Sequence, residues 1–242
     1  MGYVNDPRKN IHKIYTKEMI INPYAFGKST PAILNDGNTV AWWDFTDLSK
    51  IELYASGNDI KTVNPVIAGQ VPLAGDAGVT PTWSINGALF DGGAASLRNS
   101  QELLVSPPFI IYYVMRQISI IPNRYNMLLS GSNAFQNGQE PNTNRMYMYD
   151  GSNVIYDGYM PLNTFSIIKL ACYSGGDSFA SINENKTLGS VVGGITDITV
   201  GKHVSNQYAS NIEVKEMIIR RVIETSQNES DIYAYLKTKY RL

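Results

Sequence analysis

Residue types that carry out chemistry are scarce in this chain of 242 residues. It has one cysteine, Cys172, which excludes an intramolecular disulfide, and its two histidines, His12 and His203, lie far apart in sequence. These counts exclude a zinc site built from cysteine and histidine. Because Cys172 ends an apolar run, we expect it to be a buried, inert thiol. No motif in the sequence requires a metal ion or another cofactor.

Long apolar runs and a strong net charge are also missing. No stretch reaches the roughly 18 apolar residues that cross a membrane, and the N-terminus has no apolar core of a signal peptide. The net charge of −1 argues against general nucleic-acid binding, which needs a basic surface. We therefore expect a protein that folds in a cytoplasm, does not insert into a membrane, and leaves the cell by lysis or on a particle.

Motifs for nucleophilic catalysis and phosphate binding are absent as well. His203 has no Gly-x-Ser-x-Gly nucleophile elbow as a partner, and neither a Walker-type loop nor a Rossmann glycine pattern occurs. Paired glycines, such as those at 92–93 and 175–176, are expected in turns. The sequence therefore predicts a protein that is not an enzyme.

The sequence does contain many short apolar runs separated by turn signals, among them a predicted strand at 145–149. Asp-Gly and Asn-Gly pairs between such runs favour tight hairpins, because these turns need positive φ at both central residues. Such pairs occur at 137–138, 150–151 and 157–158. Short strands without alternating helices predict an all-β fold, an antiparallel sandwich of two sheets formed by residues 37–242.

Two of the apolar runs differ in their expected burial. Residues 109–115 are apolar throughout, which is typical of a strand buried on both faces or of one shielded by a partner subunit. Residues 212–217 interleave polar side chains and predict a half-solvated strand. A short C-terminal helix follows, opened by a capping-box pattern at 226–229 and carrying an apolar stripe that packs on the sandwich.

Residues 1–36 form a separate polar segment that precedes the sandwich. Within it, residues 1–28 hold five basic residues against two acidic ones, a net charge of +3. Such an arm suits an acidic partner, and a solvated disordered terminus remains the alternative. The basic and aromatic residues expected to dock are Tyr3, Arg8, Lys9, Lys13, Tyr15, Lys17, Tyr24 and Phe26.

Several short patches follow one another in a recognisable order along residues 38–242. They include Trp-Trp-Asp-Phe at 42–45, Phe-Asp-Gly at 90–92 and Glu-Met-Ile-Ile at 216–219, before the terminal helix. This layout resembles the concanavalin A-like, laminin-G-like jelly-roll domains of virion proteins in tailed bacteriophages. The resemblance implies a jelly-roll sandwich whose opening and closing strands lie close together, with an extended N-terminal arm.

The resemblance also implies a role. We expect a non-enzymatic structural component of a phage virion, a head fibre or capsid-decorating protein, whose arm docks to the particle while the jelly roll projects. Its partners would be other virion proteins and further copies of itself, with a trimer favoured, and its location would be the virion. The alternatives are a carbohydrate-binding, lectin-like module and a tail-associated receptor-binding protein.

Folds of this kind include glycosidases, which need a pair of catalytic carboxylate side chains. The Glu-x-Asp-x-x-Glu pattern of laminarinase-type members, which aims its acids into one cleft, does not occur. The nearest pair on a predicted strand, Glu213 and Glu216, is three residues apart. We expect these two side chains to point to opposite faces, one solvated and the other paired with an arginine such as Arg220.

Calcium is a second question that the resemblance raises, because related domains often hold Ca²⁺ at the sandwich rim through Asp and Asn oxygens. Three oxygen-bearing residues cluster in a predicted hairpin, namely Asp150, Asn153 and Asp157. Asp-Gly turns produce such a cluster without any metal, and we favour that interpretation.

Tyrosine-rich surface segments are the remaining candidates for a binding site. Tyrosine faces stack on the apolar side of a sugar ring, while Asn and Asp oxygens fix its hydroxyls. The residues with this potential for glycan contact are Asn144, Tyr147, Tyr149, Tyr156 and Tyr159. A tyrosine-rich β surface is also typical of an oligomer interface, and we favour the interface over host-surface glycan.

Overall fold

The computed structural model describes residues 30–55, 57–75, 79–205 and 208–242. Within these ranges the chain forms two sheets of eight and nine strands and a separate two-stranded ladder, and it ends in an α-helix. The predicted all-β, two-sheet sandwich with a short C-terminal helix is confirmed. The eight docking residues predicted in the arm, from Tyr3 to Phe26, lie outside the described residues.

The strands are numbered in chain order. They are β1 (Thr39–Asp44), β2 (Ile51–Leu53), β3 (Ile60–Val63), β4 (Leu73–Ala74), β5 (Thr82–Ser84), β6 (Gly87–Asp91), β7 (Leu97–Asn99), β8 (Leu104–Val105), β9 (Phe109–Ser119), β10 (Asn126–Ser130), β11 (Gln136–Gln139), β12 (Arg145–Tyr149), β13 (Val154–Tyr159), β14 (Ser166–Cys172), β15 (Ser178–Ile182), β16 (Asn185–Gly189), β17 (Ile195–Thr196), β18 (Thr199–Val200) and β19 (Asn211–Arg220). The helix is α1 (Ser226–Tyr240), and two 3₁₀ turns span Ala32–Asn35 and Leu48–Lys50.

All ladders between these strands are antiparallel. The eight-stranded sheet has the order β16-β15-β14-β9-β19-β6-β5, and β1 also pairs with β19. The nine-stranded sheet has the order β13-β12-β11-β10-β18-β7-β4-β3-β2. The opening and closing strands therefore lie side by side, as the resemblance implied.

Strand β9 shows how the layers are built. Its odd-numbered residues from Phe109 to Met115 enter the apolar core between the two sheets, whereas Ile110, Tyr112 and Val114 enter a second cluster on the outer face. Burial on both faces, one of the two predicted alternatives, is what the structure shows. The outer cover is the chain's own helix, because Ile232 belongs to the same second cluster.

Helix α1 forms a third layer on the eight-stranded sheet, packing Leu236 into the second cluster with Trp42. Because of this cover, β19 is buried almost throughout, and the prediction of a half-solvated strand is wrong. The helix is capped by Thr225, whose Oγ1 accepts a hydrogen bond from the Asn228 N–H, one residue before the predicted cap. No helix in the described ranges is long and apolar enough to cross a membrane.

Only one of the three predicted hairpin turns is a turn. Asp150-Gly151 connects β12 to β13, but the pairs at 137–138 and 157–158 lie inside β11 and β13. Gly138 has a packing reason, since a Cβ there would lie 2.9 Å from the Tyr147 hydroxyl and 3.1 Å from its ring. Glycine inside a strand often marks such a close approach rather than a turn.

A buried arginine attaches residues 30–36 to the sandwich. The Arg220 side chain is 0% exposed and bridges Glu224 and Asp36, which lies 2.9 Å from Nη2. Arg220 Nη1 also donates a hydrogen bond to the Ile33 carbonyl at 2.6 Å. Leu34 is fully buried in the cluster beneath α1. These residues are therefore packed on the domain.

Stability in acid is expected to depend on Asp36. Burial alone would raise its pKa, but hydrogen bonds from Arg220 and Asn38 lower the pKa from 3.8 to about 2. A carboxyl with a lowered folded pKa stabilises the protein above its unfolded pKa, and this contribution is lost as the pH falls from 3.8 to about 2. Asp36→Asn should therefore lower the urea midpoint near neutral pH, and this difference from the unchanged protein should shrink as the pH falls across that interval. A difference that stays constant down to about pH 2 would contradict the assignment, and Asp177→Asn, at an exposed position, is the control.

Candidate functional site

A tyrosine-lined cleft opens on the outer face of the nine-stranded sheet. Met146 and Met148 of β12 belong to the core between the sheets, so the alternating Tyr147 and Tyr149 face outward. The cleft has a volume of about 290 Å³. We call it the tyrosine cleft, and it is lined by Tyr125, Met127, Gln136, Tyr147, Tyr149, Val154, Tyr156, His203 and Tyr208.

The floor of the tyrosine cleft consists of its two buried side chains, Met127 and Tyr147, with the Tyr147 hydroxyl 3.9 Å from the Met127 sulfur. Gly138 lies opposite Tyr147 in the β11–β12 ladder and leaves room for its ring. Burial, supported by neighbouring tyrosines, raises the pKa of Tyr147. The hydroxyl at the floor is therefore protonated and uncharged.

The walls are aromatic rings set at steep angles to one another. Tyr125 makes edge-to-face contacts with Tyr147 and Tyr208, at centroid distances of 5.6 and 6.0 Å and an interplanar angle of 79° in both cases. Tyr156 pairs with Tyr147 across the β12–β13 ladder. The Arg145 guanidinium lies over the Tyr156 ring, 4.6 Å from the ring centroid. Edge-to-face packing is a favoured arrangement of aromatic rings, so the walls stabilise each other before any ligand binds.

One end of the cleft is polar. Gln136 Nε2 and His203 Nε2 lie 3.1 Å apart. The Ser205 backbone N–H donates to His203 Nδ1 at 3.1 Å, and the Ser205 hydroxyl oxygen lies 2.6 Å from the same nitrogen. Burial lowers the pKa of His203, which favours the neutral ring. The pair thus offers hydrogen-bonding groups without a formal charge.

The tyrosine cleft brings together three of the five residues predicted to contact a glycan, Tyr147, Tyr149 and Tyr156. The other two do not line it. The Asn144 side-chain amide donates to the Met160 carbonyl, and Tyr159, which is 66% exposed, pairs with Arg145 in the ladder beside the cleft.

Six lining residues were not predicted from the sequence. Val154 could have been found, because it alternates with Tyr156 on one strand and so shares its face. Tyr125, Met127, Gln136, His203 and Tyr208 come from other segments, and no local pattern joins those segments to β12. The polar end was missed for this reason.

Glu213 and Glu216 do not point to opposite faces as expected. The register of β19 against β9 shifts between Val214 and Glu216, which leaves Lys215 as an extra residue in a β-bulge. Ile212, Val214 and Met217 face the core, so Glu213, which precedes Val214, and Glu216, which precedes Met217, share the outer face. The rule of alternation fails here because it assumes a regular strand.

Both carboxylates are buried and occupied, so the expectation that one is solvated is wrong. Glu213 lies 2.7 Å from the Arg116 guanidinium, and Glu216 lies 2.8 Å from the Lys239 ammonium. Arg220, the expected partner, binds neither of them and pairs with Asp36 and Glu224 instead.

The oxygens considered for calcium are not gathered into a site. The Asp150 carboxylate accepts hydrogen bonds from the backbone N–H groups of Asn153 and Val192, at 2.7 and 2.8 Å. Asp157 accepts one from the Thr187 hydroxyl at 2.7 Å. Within the described ranges, no group of three or more His, Cys, Asp or Glu side chains is placed to hold a metal ion.

No protein-family model and no curated protein sequence matches the chain. Solved structures are similar to it at low identity. Trypanosoma rangeli sialidase aligns over 95% of this chain with a TM-score of 0.63 and 12% identity, and the alignment covers 38% of the sialidase. The botulinum neurotoxin serotype G binding domain aligns with a TM-score of 0.59 and 11% identity, over 83% of this chain and 52% of that domain's chain. Domain 4 of AbnA, a GH43 extracellular arabinanase from Geobacillus stearothermophilus solved with arabinotriose, aligns with a TM-score of 0.51 and 11% identity. This last alignment covers 81% of this chain and 98% of the arabinanase domain.

These similarities place the chain among antiparallel β-sandwich domains of the type found in that sialidase and in those two domains. At 11 to 12% identity they show a shared fold only. The chain also spans well under half of the sialidase, 38% of its length. Because this fold carries unrelated functions, the function has to be argued from the site itself.

Proposed function

We propose that this protein is a carbohydrate-binding module and that the tyrosine cleft is its site. The observation that carries the proposal is the convergence of five tyrosines with the uncharged pair Gln136 and His203 in one cleft. Sugar rings present an apolar face that stacks on aromatic rings and an edge of hydroxyls that amides and imidazoles can bind. The arabinanase domain solved with arabinotriose supports the proposal, since it has the same fold.

The geometry suits binding because the cleft is preformed. Tyrosine has only two side-chain torsions, so little conformational entropy is lost when it contacts a ligand. Tyr125, Tyr156 and Tyr208 are 42%, 39% and 37% exposed, so their rings are open to solvent while their neighbours fix their positions. A rigid aromatic site of this kind loses less free energy on binding than a flexible one.

The proposal is tested by a glycan array followed by calorimetric titration of the sugars that bind. Tyr149→Ala and Tyr156→Ala should each weaken binding at least about tenfold, the effect of losing roughly 1.4 kcal/mol at an aromatic contact. Tyr159→Ala is the matched control, because Tyr159 follows Tyr156 on the same strand but lies outside the cleft, and its effect should stay within about twofold. An array without any bound glycan, or equal losses in all three variants, would overturn the proposal.

A second candidate function is the structural role in a phage virion, as a head fibre or capsid-decorating protein or as a tail-associated receptor-binding protein. It is supported by the succession of sequence patches at 42–45, 90–92 and 216–219, which resembles phage virion domains, and by the net charge of +3 in residues 1–28. In this role the arm would dock to other virion proteins, the domain would assemble as a trimer, and the cleft would face host-surface glycan.

Light scattering on the full chain and on a variant lacking residues 1–29 tests the second candidate. A trimer that survives the deletion would support an assembly through the sandwich, whereas loss of the trimer would make the arm the assembling element. Monomers in both samples would contradict a trimeric fibre and leave the carbohydrate-binding module as the supported function.

A further inference from the structure

We infer that the tyrosine cleft selects an uncharged sugar unit and discriminates against sialic and uronic acids; this rests on the proposed carbohydrate-binding function. The fold does not decide the charge of the ligand. The side chains that line the cleft decide it, together with the partners that neighbouring charged groups already bind.

The residues described as lining the cleft carry neither a carboxylate nor an ammonium or guanidinium group. They are tyrosines, one methionine, one valine, one glutamine and one histidine. Among these described residues, a ligand carboxylate would meet only neutral donors.

Arg145 and Asp150, two charged residues beside the cleft, have other partners. Arg145 stacks on Tyr156 and forms an ion pair with Glu140, with 3.5 Å between Nη1 and Oε2. Asp150, at the end of β12, accepts hydrogen bonds from backbone N–H groups, which help to lower its pKa although burial alone would raise it. An incoming carboxylate at Arg145 would meet a guanidinium whose charge Glu140 already balances.

His203 does not supply the missing cation. Its Nδ1 accepts the Ser205 N–H, a bond that the ring loses when Nδ1 takes up a proton. Its Nε2 lies 3.1 Å from the side-chain nitrogen of Gln136, an uncharged amide group. The polar end therefore presents a neutral amide and a neutral imidazole to sugar hydroxyls.

Desolvation decides between the two kinds of ligand. A sugar hydroxyl that enters the cleft can replace its water contacts with the Gln136 amide and a tyrosine hydroxyl. A carboxylate loses far more hydration, and proteins usually recover that cost with an arginine or another cation that binds both oxygens. Since no such cation is among the described residues that line the cleft, a carboxylate on the sugar weakens binding.

The size of the cleft limits how much of a glycan is subject to this selection. Pockets that enclose drug-sized ligands have volumes of about 300–1,000 Å³, and the tyrosine cleft, at about 290 Å³, is just below that range. It accommodates a single sugar ring, and the rest of an oligosaccharide would continue outside along the sheet. The selection therefore applies to one unit of the glycan.

The experiment uses the full chain and matched pairs of ligands that differ in one carboxylate. Methyl galactoside is compared with methyl galacturonide, methyl glucoside with methyl glucuronide, and lactose with 3′-sialyllactose, together with arabinotriose, by calorimetry or ligand-observed NMR. The neutral member of the pair that binds best should bind at least about tenfold more tightly than its acidic partner. Its affinity should change less than about twofold when the salt concentration is raised tenfold, because no ion pair is screened.

Two variants separate the inference from the proposed function. Tyr149→Ala should abolish binding of the preferred sugar, and Gln136→Arg, which places a cation at the polar end, should reduce the preference for the neutral ligand. If the acidic member binds more tightly and Tyr149→Ala abolishes that binding, the inference is overturned while the carbohydrate-binding function stands. If no sugar binds, or Tyr149→Ala has no effect, both are overturned.

Discussion

Replacing Lys239 with methionine is expected to destabilise the protein by about 3–5 kcal/mol, the usual cost of removing one partner from a buried ion pair. The Lys239 ammonium lies beneath α1, 2.6 Å from an Asp44 oxygen and 2.8 Å from a Glu216 oxygen. The three side chains are 5%, 11% and 0% exposed, respectively. The variant would leave two carboxylates buried close to one another without a cation.

The pH of the measurement follows from the pKa directions. Burial alone would lower the pKa of Lys239, but Glu216, Tyr240 and Asp44 raise it well above its ordinary value. A cation with a raised folded pKa contributes its full stability below the unfolded pKa and loses it only as the pH rises through the folded pKa. For Asp44, burial would raise the pKa, yet Lys239 lowers it, so the contribution of Asp44 is present above its unfolded pKa and is lost as the pH falls. Neutral pH therefore shows the whole effect.

Urea unfolding at neutral pH measures the loss of stability caused by Lys239→Met, and Lys237→Met is the matched control. Lys237 lies on the same helix but is 44% exposed and pairs with an exposed glutamate, Glu184, so its replacement should cost less than about 1 kcal/mol. Adding Glu216→Gln to Lys239→Met should recover part of the loss, because it removes one of the unpaired charges. Equal losses for Lys237→Met and Lys239→Met would show that the cluster does not anchor the helix.

Removing residues 1–36 is expected to leave the protein at least about 3 kcal/mol less stable than removing residues 1–29, a difference due to residues 30–36 alone. Leu34 is 0% exposed and packs in the cluster with Trp42 and Ile232. Deleting it opens a cavity, and deleting Asp36 and the Ile33 carbonyl removes two of the partners of the buried Arg220.

Thermal and urea unfolding of the two shortened chains measure this difference. Two point variants of the chain lacking residues 1–29 test whether Leu34 is the cause. Leu34→Ala should lower the free energy of unfolding by about 2–5 kcal/mol. Asn35→Ala, at the exposed neighbouring position, should lower it by less than about 1 kcal/mol. Equal stability of the two shortened chains would contradict the packing of residues 30–36. The result also decides where an arm deletion can end without damaging the sandwich.

Local patterns in the sequence predicted the features that depend on near neighbours along the chain. The strand predicted at 145–149 has the bounds of β12, and the Asp-Gly pair at 150–151 forms the turn after it. The uniformly apolar run at 109–115 is buried on both faces in β9. Strand propensity, alternation and turn residues act over a few positions, so a single sequence contains them.

Where these rules failed, a contact from elsewhere in the fold was responsible. Gly138 is in a strand because the Tyr147 ring needs its space, although an Asn-Gly pair favours a turn. Glu213 and Glu216 share a face because Lys215 is accommodated in a bulge against β9. Strand β19 is buried on its outer face because α1 covers it, which its alternating sequence did not indicate.

The sequence by itself determined an all-β sandwich with a C-terminal helix and a tyrosine-rich outer strand. Only the tertiary structure decided that this strand forms one wall of a cleft. Met127 lies in β10 and Tyr125 immediately precedes it, whereas His203 and Tyr208 follow β18, which pairs with β10 although about 70 residues of chain separate the two strands. Alternation fixes which face of a strand a side chain occupies, but the neighbour of that strand is chosen by packing of the whole sheet, which no local pattern encodes.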